Sequence, residues 1–321
     1  MIMQYFATLN PATFFNALPS NIALGLIWGV MALGLYITFR LLDFADLTVD
    51  GSLTTGGAVT VMLTISGYPI GVSLAVAALA GMLAGLCTGL LHTKLGIPPI
   101  LAGILTQIAL YSINLHILGC ANKALSVDNY KLILTSRNIP MAIVAGLIFV
   151  TVLIALLYWY FGTEQGSAIR ATGCNKAMSK AQGINIENME LIALCLSNGI
   201  VAVAGGLLSQ FSGFADVNMG RGAIVIGLAA IIIGEVLGDA VLGKRMNFAA
   251  RLGFVAFGGV MYYIVIGFVI WLKMDSNDLK LFTAIIVAIF LAVPYLKAAS
   301  KSSFKKAGKR SQIGGTEDVR D

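Results

Sequence analysis

The sequence predicts an all-α fold, a polytopic transmembrane helical bundle of about nine spans with a range of eight to ten, and three observations predict it. Of 321 residues, 58% are hydrophobic and 11% are charged, against roughly 25% charged in soluble domains. The mean hydropathy is +0.88. Apolar stretches recur that are long enough to cross a hydrocarbon core of roughly 30 Å as helix, the form in which a segment bonds all its own N–H and C=O groups.

In order, the expected spans are 22–39, 52–66, 70–91, 99–118, 139–160, 189–210, 223–242, 248–272 and 281–296. They make a transmembrane domain over 20–296, flanked by an N-terminal external segment at 1–19 and a basic tail at 297–321. No Lys or Arg precedes Arg40, so the start lacks the basic region of a secretory signal, and Pro11 and Pro19 interrupt any long helix there. An uncleaved, outward N-terminus is the expectation.

The second span is short and follows Arg40-Leu-Leu-Asp-Phe-Ala-Asp-Leu-Thr-Val-Asp-Gly-Ser52, which carries three carboxylates. Two readings fit. One is a discontinuous helix at membrane depth, where Thr, Ser and Asp side chains satisfy freed backbone groups. The other is an ordinary loop with Asp50 or Ser52 capping the span. Asp46, Thr48, Asp50 and Ser52 are the candidates for a structural or translocation-path role, and Asp43 is expected to be solvated.

In the third span Gly81, Gly85 and Gly89 recur every four residues and line one helix face, the small-xxx-small pattern of close helix contact. Gly205-Gly206 and Gly258-Gly259 extend the same expectation to later spans. In the fourth span His116, with Asn114 nearby, reads as a hydrogen-bonded interior residue. Glu235 and Asp239 in the seventh span are four apart and share a helix face. Two readings stand for Glu235: a proton or cation step, or a helix-end carboxylate paired with Lys244 or Arg245 of the next loop.

Several chemistries fail on inspection. Gly238-Asp-Ala-Val-Leu-Gly-Lys-Arg245 has the spacing of a phosphate-binding loop, but Arg245 stands where Ser or Thr must reach Mg²⁺ and an apolar helix replaces the preceding strand. With two histidines there is no His-Glu-x-x-His pattern, so no metal site is expected. Neither a nucleophile motif nor a paired-aspartate motif is found, so enzymatic catalysis is not expected. Cys87, Cys120, Cys174 and Cys195 are scattered over spans and loops and read as small apolar filler.

The net charge of +6 serves orientation rather than nucleic-acid binding. The tail cations Lys301, Lys305, Lys306, Lys309 and Arg310 favour a cytoplasmic C-terminus. Counting spans backwards puts Arg40, His92, Lys94, Arg170, Lys176, Lys180, Lys244 and Arg245 inside, with Lys123, Lys131, Arg137, Arg221, Lys273 and Lys280 outside.

One long polar loop, 162–188, interrupts this pattern. Within it Asn175 to Gln182 lacks Pro and Gly and predicts a short amphipathic helix, with Gly173 before it and Gly183 as its stop. Such a helix suits either lipid headgroups or a groove on a partner protein.

Arg170-Ala-Thr-Gly-Cys-Asn175, then Ser179, then Gly183-Ile184 resembles the loop signature of permeases in the branched-chain amino acid and ribose ABC importer family. The likeness continues through Ser197-Asn-Gly-Ile-Val-Ala-Val-Ala-Gly-Gly206, Met219-Gly-Arg-Gly222 and Gly227 to Gly234, covering roughly residues 20–295. Asp46-Leu-Thr-Val-Asp-Gly-Ser52 and Gly234-Glu235 look like the tryptophan and tyrosine branch, although other members tend to carry a second glycine where Glu235 stands.

The resemblance implies a type II ABC importer-like permease in a bacterial plasma (inner) membrane, carrying a small polar solute, an amino acid first of all. It implies that 175–182 is a coupling helix in a groove of a separate cytoplasmic ATPase, with Arg170, Ala171, Gly173, Asn175, Lys176, Ala177, Ser179, Ala181, Gly183 and Ile184 as the coupling residues. It also implies a second permease subunit, usually a copy of the same chain, and an extracytoplasmic binding protein docking on 119–138 and 211–222. No cofactor is expected on this chain; ATP and Mg belong to the ATPase. The alternatives are an ion-coupled secondary transporter, suggested by Glu235 and the broken helix near Asp46, a permease for a sugar or nucleoside, and a scaffold that moves nothing.

Overall fold

The computed structural model describes residues 11–127, 130, 132–243 and 246–272, with isolated positions at 281, 285, 288 and 292. The ninth expected span, the basic tail, and Lys131, Lys244, Arg245, Lys273 and Lys280 therefore lie outside the described residues. Up to Leu272 the chain is one compact unit.

The helices are α1 (Pro11–Tyr36, continued by a π-turn at Ile37–Leu41), α2 (Val49–Ile65), α3 (Ile70–Thr93), α4 (Pro99–Leu118) and α5 (Ile139–Gly162). Two short helices follow, α6 (Glu164–Cys174) and α7 (Lys176–Ala181), and then α8 (Ile186–Ser212), α9 (Ala223–Val241) and α10 (Phe248–Trp271). Seven described helices are long and apolar enough to cross a membrane; α2, at 17 residues, falls short.

Two helices are central. The apolar window of α1 is 83% buried and that of α8 67%, whereas that of α5 is 17% buried. Helix α1 packs on α10, α8, α5 and α9, while α8 packs on α3, α2 and α1. Helices α3, α4 and α5 turn large apolar residues outward, among them Leu83, Ile108 and Trp159. In water such faces would be unstable; against lipid they cost nothing.

The close contacts run through glycine. A Cβ at Gly81 or Gly85 would overlap the carbonyl oxygens of Asn198 and Leu194, so the expected α3 stripe is the face that meets α8. Gly56 and Gly205 likewise bring α2 and α8 together backbone to backbone. Without a hydrophobic drive between helices in lipid, van der Waals contact at such distances is what holds the bundle.

Three features differ from expectation. Helix α1 runs through Pro19; ring contacts of Phe14 with Phe268 and Trp271 on α10 hold the start of the helix despite the missing N–H. His116 faces outward, with its Nδ1–H donating to Ser112 O at 2.8 Å. Asn114, two residues or about 200° away on the helix, is the buried one. Finally, a two-stranded antiparallel ribbon joins β1 (Asn122–Ala124) to β2 (Phe214–Asp216), pairing Lys123 with Ala215. It ties together the two loops expected to form one docking surface.

Candidate functional site: a broken helix, a cavity and a docking loop

Between α1 and α2 the chain leaves helical geometry. After the π-turn, residues 42–48 carry no regular structure, and Asp43 takes a left-handed conformation at φ 56°. Helix α2 starts opposite the middle of α8: Ser52 bonds Asn198 and Gly56 lies against Ala202. The segment is irregular backbone between two helices, and neither Asp50 nor Ser52 caps α2. Irregular backbone at this depth needs protein around it, and Gly103 of α4, whose missing side chain admits the backbone of Leu47, lets α4 close over the segment.

A buried polar cluster holds the break. Asp46, 1% exposed, accepts from the Thr48 backbone N–H at 2.9 Å and from Asn198 Nδ2 at 2.7 Å. Ser52 Oγ donates to Asn198 Oδ1 at 2.6 Å. Thr48 Oγ1 lies 2.6 Å from Thr88 Oγ1, which donates to Thr106 Oγ1 at 2.9 Å. The carboxylate and hydroxyls thus link the break to α2, α3, α4 and α8. Sequence reasoning singled out Asp46, Thr48 and Ser52; it missed Asn198, Thr88 and Thr106, which sit in spans whose small polar residues are individually unremarkable.

Asp50 does not cap its own helix. Its Oδ1 accepts from Ile224 N at 2.9 Å and its Oδ2 from Gly222 N at 3.0 Å, so it caps α9 from α2. The N-terminus of a helix presents free N–H groups and the positive end of its dipole, which a carboxylate satisfies. Thr54 Oγ1 adds a bond from Gly220 N at 3.1 Å. These contacts fold the 217–222 loop inward and leave beside it a cavity of about 440 Å³, walled by α2, α4 and that loop. Gln107, Tyr111, Asn114 and Arg221 line it with Asp50, and the Arg221 guanidinium sits 5.9 Å from the centre of the Tyr111 ring.

The polar loop is more structured than the sequence suggests. Thr163 and Asn175 cap α6 and α7 with their side chains, bonding Gly166 N and Met178 N, and Asn185 caps α8 in the same way. Gly183, at φ 84°, ends α7, and the Ile184 N–H returns to Ser179 O at 3.1 Å, the glycine stop expected at that position. Lys176, Ala177, Met178, Lys180 and Ala181 are exposed, and Ser179 is buried against the bundle. Glu190, buried on α8, anchors α7 through Lys176 Nζ at 2.8 Å and has His92 Nε2 3.6 Å away.

Gly173 precedes the short helix, as expected, from within α6. A Cβ on it would overlap the carbonyl oxygen of Leu41. Of the coupling candidates, Gly173 therefore touches the chain immediately before the break, while Arg170 stacks over the Phe248 ring at 5.8 Å. Ala171 is half-buried in the same helix.

Glu235 pairs with the end of α1; Lys244 and Arg245, its expected partners, lie outside the described residues. Arg40 Nε donates to Oε1 at 2.9 Å, and its Nη2 donates to Oε2. This fork joins the ends of α1 and α9. With Arg40 half exposed, the pair is worth about 1 kcal/mol. Glu235→Gln and Arg40→Gln should each lower the melting temperature of the purified chain by a few degrees, and the exchanged pair Arg40→Glu with Glu235→Arg should recover part of it. A full melting temperature in the single variants would remove this role.

Comparison with known proteins matches residues 19–294 to the family described as branched-chain amino acid transport system, permease component. A tyrosine transport system permease protein of Clostridioides difficile (strain R20291) is 40% identical over 281 residues, 88% of this chain and 92% of that one. The galactofuranose transporter permease protein YtfT of Escherichia coli (strain K12) is 26% identical, over 63% of this chain and 58% of that one. Among solved structures, PsaBC from Streptococcus pneumoniae in complex with Fab aligns at a TM-score of 0.48 and 17% identity, covering 90% of this chain and 95% of that one.

Proposed function

The chain belongs to the permease family of branched-chain amino acid transport systems, and on that premise we propose that it is the translocating subunit of an importer that takes up an amino acid with ATP hydrolysed on a separate cytoplasmic ATPase. The observation that carries this reading is the path from α7 to the helix break. The exposed face of α7 is presented at one end of the bundle, α7 is held to α8 through Lys176 and Glu190, and α6 presses Gly173 on Leu41.

A partner gripping α7 would move α6 as a rigid neighbour and so bear on the segment 42–48, whose Asp46 is bonded across to α8. Closure of two ATPase subunits, one on each of two permease copies, then switches the packing around the break between two arrangements. In this reading the α7 end is cytoplasmic and the ribbon end receives substrate from a binding protein. ATP and Mg²⁺ act on the ATPase alone. The cargo reading draws on the tyrosine permease relative and on a cavity lined by a carboxylate, a guanidinium and two amides, groups suited to a zwitterion.

The test is uptake of labelled L-tyrosine in cells expressing this chain with its ATPase and binding protein. Uptake should stop when ATP is depleted and should continue, over short times, in the presence of a protonophore. The reverse result would make the chain an ion-coupled transporter. Uptake of a sugar instead of any amino acid would replace the cargo.

A further inference from the structure

The cavity beside α4 has a property that tight packing does not account for. Asn114 is 0% exposed and lines the cavity, yet neither its Oδ1 nor its Nδ2 has a hydrogen-bond partner among the described residues. A buried amide without partners costs about 1–3 kcal/mol per group, and buried polar groups in native proteins are nearly always bonded. Leucine, branched at the same carbon and with the same number of side-chain heavy atoms, would remove that cost. An amide kept at such a position has a use for its free donor and acceptor.

The surroundings define what would use them. Arg221 is exposed at the cavity wall, its guanidinium near the Tyr111 ring, and makes no ion pair with a carboxylate among the described residues. A guanidinium binds a carboxylate through two parallel N–H bonds. Each oxygen of Asp50 accepts one backbone N–H, and a carboxylate offers about four lone-pair positions, so it keeps capacity for an ammonium group. The volume of about 440 Å³ lies within the range of roughly 300–1,000 Å³ typical of small-molecule pockets.

We infer that this cavity is a transit site that holds an amino acid during passage, Arg221 binding its carboxylate, Asp50 its ammonium group, and Asn114 adding its free N–H to the carboxylate or its free carbonyl oxygen to the ammonium. The inference rests on the amino-acid reading of the cargo and assigns it a place inside the permease, between α2, α4 and the 217–222 loop. It also gives Asp50 two tasks: capping α9 and contacting cargo. Binding of substrate would then bear on the start of α9.

The experiment measures initial rates of L-tyrosine uptake by the complete system with Arg221→Gln, Arg221→Lys or Asn114→Leu, together with the melting temperature of each purified chain. A transit site predicts a maximal rate reduced about ten-fold in Arg221→Gln and Asn114→Leu, the loss of one charged or fully buried hydrogen bond. KM, set by the external binding protein, should be unchanged, and Arg221→Lys should fall between. Asn114→Leu should melt at or above the parent temperature while transporting less.

Two results in single variants would each overturn the site, as would either of the two uptake results that follow. One is a raised KM with an unchanged maximal rate in Arg221→Gln, which makes Arg221 a docking residue. The other is a lowered melting temperature in Asn114→Leu, which makes the amide structural. If the parent system takes up no amino acid, the cargo reading fails and this site with it. If the parent takes up L-tyrosine and the variants match it, the site alone fails.

Discussion

Asp46→Ala should lower the stability of the bundle by about 2–5 kcal/mol and abolish uptake. The substitution strands the Thr48 N–H and one N–H of Asn198, each costing about 1–3 kcal/mol when buried without a partner. Asp46→Asn should be nearly as damaging, because its amide would turn a donor toward the Asn198 donor. Exchanging the pair, Asp46→Asn with Asn198→Asp, restores donor to acceptor and keeps the Ser52 bond. Rescue should be partial, since Asn198 also donates to Leu194 O at 3.0 Å, a bond an aspartate cannot make. Thermal unfolding in detergent and uptake in cells read the two effects; an Asp46→Ala chain that melts with the parent would show that the break holds without its carboxylate.

Gly173→Val and Ala177→Trp should both stop transport, through separable causes. At Gly173 a side chain meets the Leu41 carbonyl, so α6 must lift off the end of α1, and overpacking of this kind costs about 1–3 kcal/mol. Uptake and melting temperature should fall together. Ala177 is exposed on α7, where a surface change leaves stability within about 0.5 kcal/mol. Ala177→Trp should therefore melt normally while ATP hydrolysis by the assembled complex no longer drives uptake. Normal uptake in Ala177→Trp would take the exposed face of α7 out of the coupling path.

The contrast between these two residues shows where sequence reasoning stopped. Gly173 and Ala177 fall in one polar loop and were read as one coupling surface. The structure separates them: Gly173 packs inward on α1, and Ala177 faces out. The same limit applies to Glu235, whose partner Arg40 precedes it by 195 residues. It applies to Asp50 as well, for which a cap of its own helix was one of two readings and which is found capping α9.

What the sequence determined by itself is whatever depends on composition and neighbours along the chain. Runs of apolar residues locate the described spans to within a few residues, except at the start of α1, because hydropathy and helix period are local. The stop at Gly183 is likewise written within a few residues of the helix it ends, since glycine takes the left-handed conformation of the stop without strain. Pro19 does not end its helix and the short second span fits two readings, because contacts with α10 in one case and packing on α8 in the other decide how the chain runs. Only the tertiary structure decided which carboxylate meets which amide, where Asn114 remains unpaired, and that α6 presses on the chain just before the break. Those are contacts between residues tens to hundreds of positions apart, and no local pattern encodes them.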